Sequence, residues 1–215
     1  MPEAISTALL SDQVYEMILA SILDGTRAPG NRLVESEIAR QLGISQAPVR
    51  EAVKRLIHAG LVVSMPRHGS YVTEISPAEF AIARTMRGSI EAEAARIAVS
   101  EVSEDDLQAL RGVVKRMQQA MDADDRAAFR ALDVEFHRTV IAATRRSVLA
   151  RLWDTLEPML VSQRAIGDPG YLGDRTRVVA WHSDLVDALA GGNADAAAAA
   201  FAEHASGALD EFPTG

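Results

Sequence analysis

The segment from Leu33 to Val72, LVESEIARQLGISQAPVREAVKRLIHAGLVVSMPRHGSYV, constrains the fold more than any other part of the chain. Ile38, Ala39 and Leu42 recur at helical spacing, and Gly43 follows where a left-handed residue ends a helix at least cost. Ser45 is a natural N-cap, and Pro48 falls in a first turn that has no intrahelical use for its N–H. Val49, Val53, Leu56 and Ile57 then mark the buried face of a second helix, which Gly60 closes. Arg50 and Lys54, four residues apart, share the opposite face. This pattern predicts a helix-turn-helix with a wing, and that arrangement places one helix in a DNA major groove.

Charge supports DNA binding locally and not globally. Between Arg40 and Val72 five basic residues (Arg40, Arg50, Lys54, Arg55, Arg67) meet one acid, Glu51, whereas the whole chain carries a net charge of −8. Attraction to phosphate must therefore come from this patch. Arg50 is the expected base or phosphate contact, Lys54 and Arg55 are expected on phosphate, and His68-Gly69 at the wing tip is expected at the minor groove.

The remaining bounds are broad. A length of 215 residues suits one large domain or two small ones, and 48% hydrophobic residues can bury a real core. No apolar run reaches the ~18 residues of a membrane span. The N-terminus lacks the basic start and apolar block of a signal peptide, so a cytoplasmic protein is expected. With no cysteine, disulfides, thiolate zinc sites and cysteine nucleophiles are all excluded.

Along the chain, Leu9 to Asp24 reads as a helix stopped by Gly25, and Pro29-Gly30 as a turn into the motif. Ser76-Pro77 divides the chain into a winged helix-turn-helix domain, 1–76, and a second domain, 77–215. From Ala78 onward no strand pattern occurs. Six helices are predicted, near 78–99, 103–122, 125–143, 147–164, 174–190 and 193–212, with turns such as Gly167-Asp168-Pro169-Gly170 between them. A mainly α fold with a C-terminal helical bundle is the expected architecture.

Four polar residues interrupt the apolar faces of that bundle. Asp133 falls within the stripe Phe129, Leu132, Phe136, Val140, and His137 lies one turn further along on its flank. His182 sits among Val178, Trp181, Leu185 and Val186, while His204 shares a face with Phe201 and Ala208. A carboxylate in a core costs several kcal/mol unless paired or metal-bound. Each histidine alone is explained as a core residue satisfied by a neighbour. Together the four form an oxygen-and-nitrogen set suited to zinc, nickel, manganese or iron. On the first bundle helix, Arg87 flanks an expected inward stripe of Ile82, Met86, Ile90 and Ala94, with Glu91 four residues on as an intrahelical ion-pair partner.

The sequences LGISQAPVREAVKRLIHAGLV and RHGSYV, then MRGSIEAEAARIA, DVEFHRTVIAA, WHSDLVDAL and AEHASGAL, resemble in order and spacing the GntR family of bacterial transcription regulators. The likeness is to the FadR-type subfamily with an all-helical FCD effector domain, in the shorter, VanR-like six-helix variant. The resemblance implies that Asp133, His137, His182 and His204 are metal ligands, with zinc the first expectation, and that Arg87 pairs with a small carboxylate effector. It implies a homodimer, a repressor in the usual case, that reads an inverted-repeat operator. It also places Ser45, Gln46, Ala47 and Pro48 at the recognition turn, where the family usually has serine-arginine-threonine-proline. Glutamine suits adenine where arginine suits guanine, so a different operator is expected. Val34 replaces the usual serine cap of the first motif helix.

Two other readings compete. A metal-dependent hydrolase or lyase of a small acid would use open coordination positions for an activated water, but no HExxH motif and no dedicated base accompany the cluster, so no catalytic residue is assigned. A DNA-binding protein with a purely structural metal is the other.

Overall fold

The computed structural model describes residues 7–23, 25–162 and 175–206, and it shows a winged helix-turn-helix joined to an all-helical bundle. The first unit runs α1 (Thr7–Leu23), β1 (Arg32–Leu33), α2 (Glu35–Leu42), α3 (Gln46–His58), β2 (Val62–Met65) and β3 (Gly69–Val72). The strands are antiparallel with β3 in the centre, Arg32 opposite Tyr71 on one side and Val62 opposite Val72 on the other. Val14, Ile18 and Ile22 of α1 close the core over Ile38, Val49, Val53 and Leu56.

The turn between α2 and α3 rests on Gly43, whose φ is +66°. A Cβ built there would meet no atom within 4 Å, so the glycine supplies backbone conformation and not space. Val34, at the N-cap of α2, makes no side-chain cap bond, which matches its lack of a polar group. Ser45 stands at the N-cap of α3 in extended conformation, yet its hydroxyl makes no cap bond either. The hydroxyl is left on the exposed face where the recognition helix begins.

The second unit comprises α4 (Pro77–Glu101), α5 (Glu104–Asp122), α6 (Arg126–Ala143), α7 (Ser147–Ser162), α8 (Arg175–Ala190) and α9 (Ala194–Ala205). Ser76 with Glu79 and Ser103 with Asp106 form reciprocal capping boxes that start α4 and α5, and Asp125 and Asn193 cap α6 and α9. The expected turn Gly167-Asp168-Pro169-Gly170 lies outside the described residues, as do Leu209 and Phe212. Phe136, Leu110, Met117, Leu185, Leu189 and Phe201 lie in the main core of the bundle.

One expectation about α4 is corrected. Ile82 and Met86 are 63% and 45% exposed, and the buried residues are Ala83, Glu91, Ala94, Ala95 and Ala98. The cause is tertiary. The alanine-rich α9, with Ala197 and Ala198 buried, packs more extensively on α4 than any other pair of elements does on each other. Such close approach selects the small-residue face of α4 rather than its bulkiest one. That rotation carries Glu91 into the interior.

Candidate metal centre and DNA-binding surface

Three helices deliver the polar cluster. Asp133 and His137 stand one turn apart on α6, His182 comes from α8 and His204 from α9. Each offers a ligand atom, and all four atoms lie within 4.8 Å of one another. His137 and His182 are fully buried, His204 nearly so, and Asp133 is half-buried. Nε2 of His182 is 3.1 Å from Oδ1 of Asp133, Nε2 of His137 is 3.8 Å from that oxygen, and Nε2 of His204 is 3.2 Å from Nε2 of His137.

The proton positions follow from the partners. Nδ1 of His182 is 2.7 Å from the Val178 carbonyl, which can only accept, so Nδ1 carries a proton and Nε2 is the nitrogen turned to the cluster. Burial would raise the Asp133 carboxyl, but the His182 contact, with the His137 ring and the Arg87 guanidinium nearby, holds it well below the usual carboxylate range. It is therefore an acceptor. Asp133 Oδ1 and His182 Nε2 are both buried and neither has a hydrogen-bond partner. Two buried polar atoms facing each other at 3.1 Å with no hydrogen-bond partner are stabilised by a cation bound between them.

The surroundings favour neutral imidazoles. Burial, reinforced by neighbouring His182 and His137, pushes the His204 ring well below the usual histidine range. Burial likewise lowers His137, opposed in part by Glu91. Phe136 meets the edges of His137 and His182, Trp153 stacks near His137, and Trp181 abuts His204, so aromatic walls keep water from the donors. Three imidazoles and one carboxylate fit a borderline divalent ion.

Glu91 was not singled out as part of this site by sequence. It is 0% exposed, with Oε1 accepting from Nε of Arg87 at 2.7 Å and Oε2 lying 3.1 Å from Nδ1 of His137. Burial alone would raise its carboxyl, and Arg87 and His137 together lower it below the usual value. Arg87 is mostly buried and lies 5.8 Å from the centre of the Trp153 ring. The one signal available in sequence was the four-residue spacing from Arg87, which an exposed ion pair explains equally well.

On the winged helix, Ser45, Gln46, Ala47, Arg50 and Lys54 are exposed on or before α3, and His68 and Gly69 are exposed at the wing. Arg50 bonds Glu35 at 3.2 Å and Lys54 lies 3.8 Å from Glu51, both pairs solvent-exposed. Arg55 differs. Nη1 donates to Asp12 at 2.5 Å and the guanidinium covers the Tyr15 ring, 4.3 Å from its centre. Sequence alone missed Arg32, which β1–β3 pairing brings beside the wing: a Cβ on Gly69 would lie 3.2 Å from its Nε. Arg67 holds a left-handed backbone, φ +67°, in a turn closed by His68 N–H to the Met65 carbonyl. Glycine or asparagine is the usual choice there.

A winged helix-turn-helix carried on a helical bundle with an internal His/Asp cluster defines a class of two-part DNA-binding regulators. The chain belongs to the GntR family of bacterial regulatory proteins, with an FCD domain: residues 10–72 match the former and residues 83–207 the latter. It is 32% identical over 202 residues to a probable D-xylose utilization operon transcriptional repressor of Paenarthrobacter nicotinovorans, covering 93% of this chain and 87% of that one. It is 28% identical to the transcriptional repressor RspR of Escherichia coli, covering 92% and 86%. Among solved structures, E. coli McbR/YncC superposes with a TM-score of 0.74 at 22% identity, covering 91% of this chain and 93% of that one. A GntR regulator from Rhodococcus sp. RHA1 gives 0.70 at 20% identity, covering 93% and 96%. The chain is thus a transcriptional regulator. No helix among the described residues is long and apolar enough to cross a membrane.

Proposed function

We propose that this regulator is a metal-containing, ligand-responsive repressor. Asp133, His137, His182 and His204 would hold one divalent ion, zinc first, and the bound ion would supply a Lewis-acidic centre for a small carboxylate that also pairs with Arg87. The observation that carries this reading is the convergence of four ligand atoms within 4.8 Å, among them Asp133 Oδ1 and His182 Nε2, buried without a hydrogen-bond partner at 3.1 Å from each other. No catalytic turnover is assigned, because Glu91, the buried acid beside the cluster, has Oε1 bonded by Arg87 and Oε2 turned to His137 Nδ1 and is not held ready for a metal-bound water. The setting is taken to be the cytoplasm, where the operator is.

A homodimer fits a regulator with one winged helix per chain and an inverted-repeat operator. Ile82 and Met86 of α4 and Val148 and Leu152 of α7 are exposed on two helices that pack together, an apolar surface of the kind a second copy covers. Ser45, Gln46, Ala47, Arg50 and Lys54 would face the major groove, with His68 and Gly69 at the adjacent minor groove. The effector would act through α6, which carries two of the four donors and also touches α1 of the winged helix. Its binding biases how the bundle holds the two DNA-reading units.

The test is operator affinity, on a duplex selected from a random library, measured with and without zinc and a panel of small carboxylates plus D-xylose. Weakening by one carboxylate, only in the metal-loaded protein, supports the reading. An affinity indifferent to chelation and to every ligand leaves a structural metal or none.

A further inference from the structure

Resting on the metal reading above, we propose that Glu91 is a positioning residue of the metal centre, fixing the tautomer and orientation of His137 through Nδ1. The carboxylate can only accept, and Oε2 is 3.1 Å from that nitrogen, so it favours the proton on Nδ1 and the lone pair on Nε2. Nε2 is the nitrogen that faces His204 and Asp133. The Glu91–His137 approach lies off the hydrogen-bond axis, so Oε2 and Nδ1 are close without a full hydrogen bond. Ligation of Nε2 makes the opposite ring N–H a stronger donor, which strengthens its pull toward the carboxylate.

Arg87 completes the relay. Its Nε donates to Oε1 at 2.7 Å and so fixes the carboxylate with Oε2 turned to His137. An exposed i,i+4 pair on a helix surface needs neither a fully buried acid nor a second oxygen turned to an imidazole; Glu91 has both. The order Arg87, Glu91, His137 therefore joins the residue assigned to the effector with a residue assigned to the ion.

The test uses Co²⁺ as probe on the full chain, with affinity from chelator competition, the Co²⁺ d–d absorption spectrum, and melting of the metal-free protein. Glu91→Gln keeps the volume and removes the charge. It is expected to weaken Co²⁺ binding about 10- to 100-fold and to shift the spectrum. Wild-type affinity and an unchanged spectrum in Glu91→Gln would overturn the proposal, even if the melting temperature falls, because a merely structural role moves only the latter. Should Glu91→Gln fail to fold, Glu91→Asp, which keeps the charge but draws it back by one methylene, carries the same expectation and the same overturning result. If wild type binds no Co²⁺, or His182→Ala binds it as tightly as wild type, the metal reading itself falls and the proposal with it.

Discussion

Arg55 of the recognition helix is tied to Asp12 of α1 by a 2.5 Å hydrogen bond, 43 residues away in sequence. The contact staples the DNA-reading helix to the helix that touches the bundle. It also leaves Arg55, 40% exposed and laid over the Tyr15 ring, less available to phosphate than Arg50 or Lys54, whose side chains are 58% and 66% exposed. Replacing Arg50 or Lys54 by alanine should reduce the slope of log affinity against log salt by about 1. Arg55→Ala should reduce it by less. A slope change for Arg55→Ala equal to the other two would show that the Asp12 contact opens on the operator.

Arg67 should trade stability against binding. A left-handed arginine costs about 1 kcal/mol relative to a residue without Cβ. Arg67→Gly is therefore expected to raise the denaturation midpoint while lowering operator affinity by loss of a wing charge. If both quantities fall, strain at this position is not what the backbone angle implies.

Gln46 is exposed in the first turn of α3 and is proposed to read an edge of one base pair per half-site. Gln46→Arg should move preference there from adenine toward guanine, by roughly 1–3 kcal/mol. Selection from a random duplex library before and after the change reads this directly. Identical consensus sequences would remove Gln46 from the readout.

Acid should unfold the metal-free protein earlier than its surface charge suggests. Burial holds His137 and His204 below the usual histidine value in the folded state, so the unfolded chain binds more protons as pH falls below ~6.5. Stability is then full above that pH and lost as pH drops toward the folded values, at up to about 1.4 kcal/mol per pH unit for each ring. Bound zinc should hold the midpoint constant to lower pH and then release cooperatively, since protons compete for the same nitrogens. A further loss is expected as pH falls from about 4. Hydrogen bonds from Ser103, with help from Arg145, hold Asp106 at about 2, and that stability disappears as the group protonates. Urea titrations in a chelator at pH 8, 6.5 and 5 check the first window; equal midpoints would contradict it.

Glu157 should matter for coupling more than for either site. It accepts from Nε1 of Trp153, which stacks near His137, and from Arg138, the residue after His137. Glu157 and Arg138 also act on the hydroxyl of Tyr15, the ring under Arg55. Glu157→Gln is expected to leave metal content and basal operator affinity near wild type while reducing the effector-induced change in affinity about 2- to 30-fold. By linkage, the operator's effect on effector affinity must shrink by the same factor. An unaltered coupling would put transmission elsewhere.

Much of this molecule was legible from local rules. Gly43, the apolar spacing of Val49, Val53 and Leu56, and the capping residues Ser76 and Ser103 announce their elements because helix starts, stops and faces are decided by a few neighbouring residues. The convergence of Asp133, His137, His182 and His204 was foreseeable for a related reason: periodicity says which face of its own helix each occupies, and a bundle has one interior.

Periodicity does not say which of two adjacent faces a neighbouring helix will choose. On α4 the apolar Ile82 and Met86 faced solvent because the alanines of α9 approach closest against small residues, and this rotation, set by packing of residues over a hundred positions apart, carried Glu91 to His137. Strand pairing likewise brought Arg32 to the wing, and helix packing brought Asp12 to Arg55. The sequence by itself determined the elements and the inventory of donors, because those follow from local conformational preference and burial pattern. Only the tertiary structure decided which nitrogen of His137 faces the cluster and which charges are already paired, because those depend on distances of a few ångströms between distant parts of the chain.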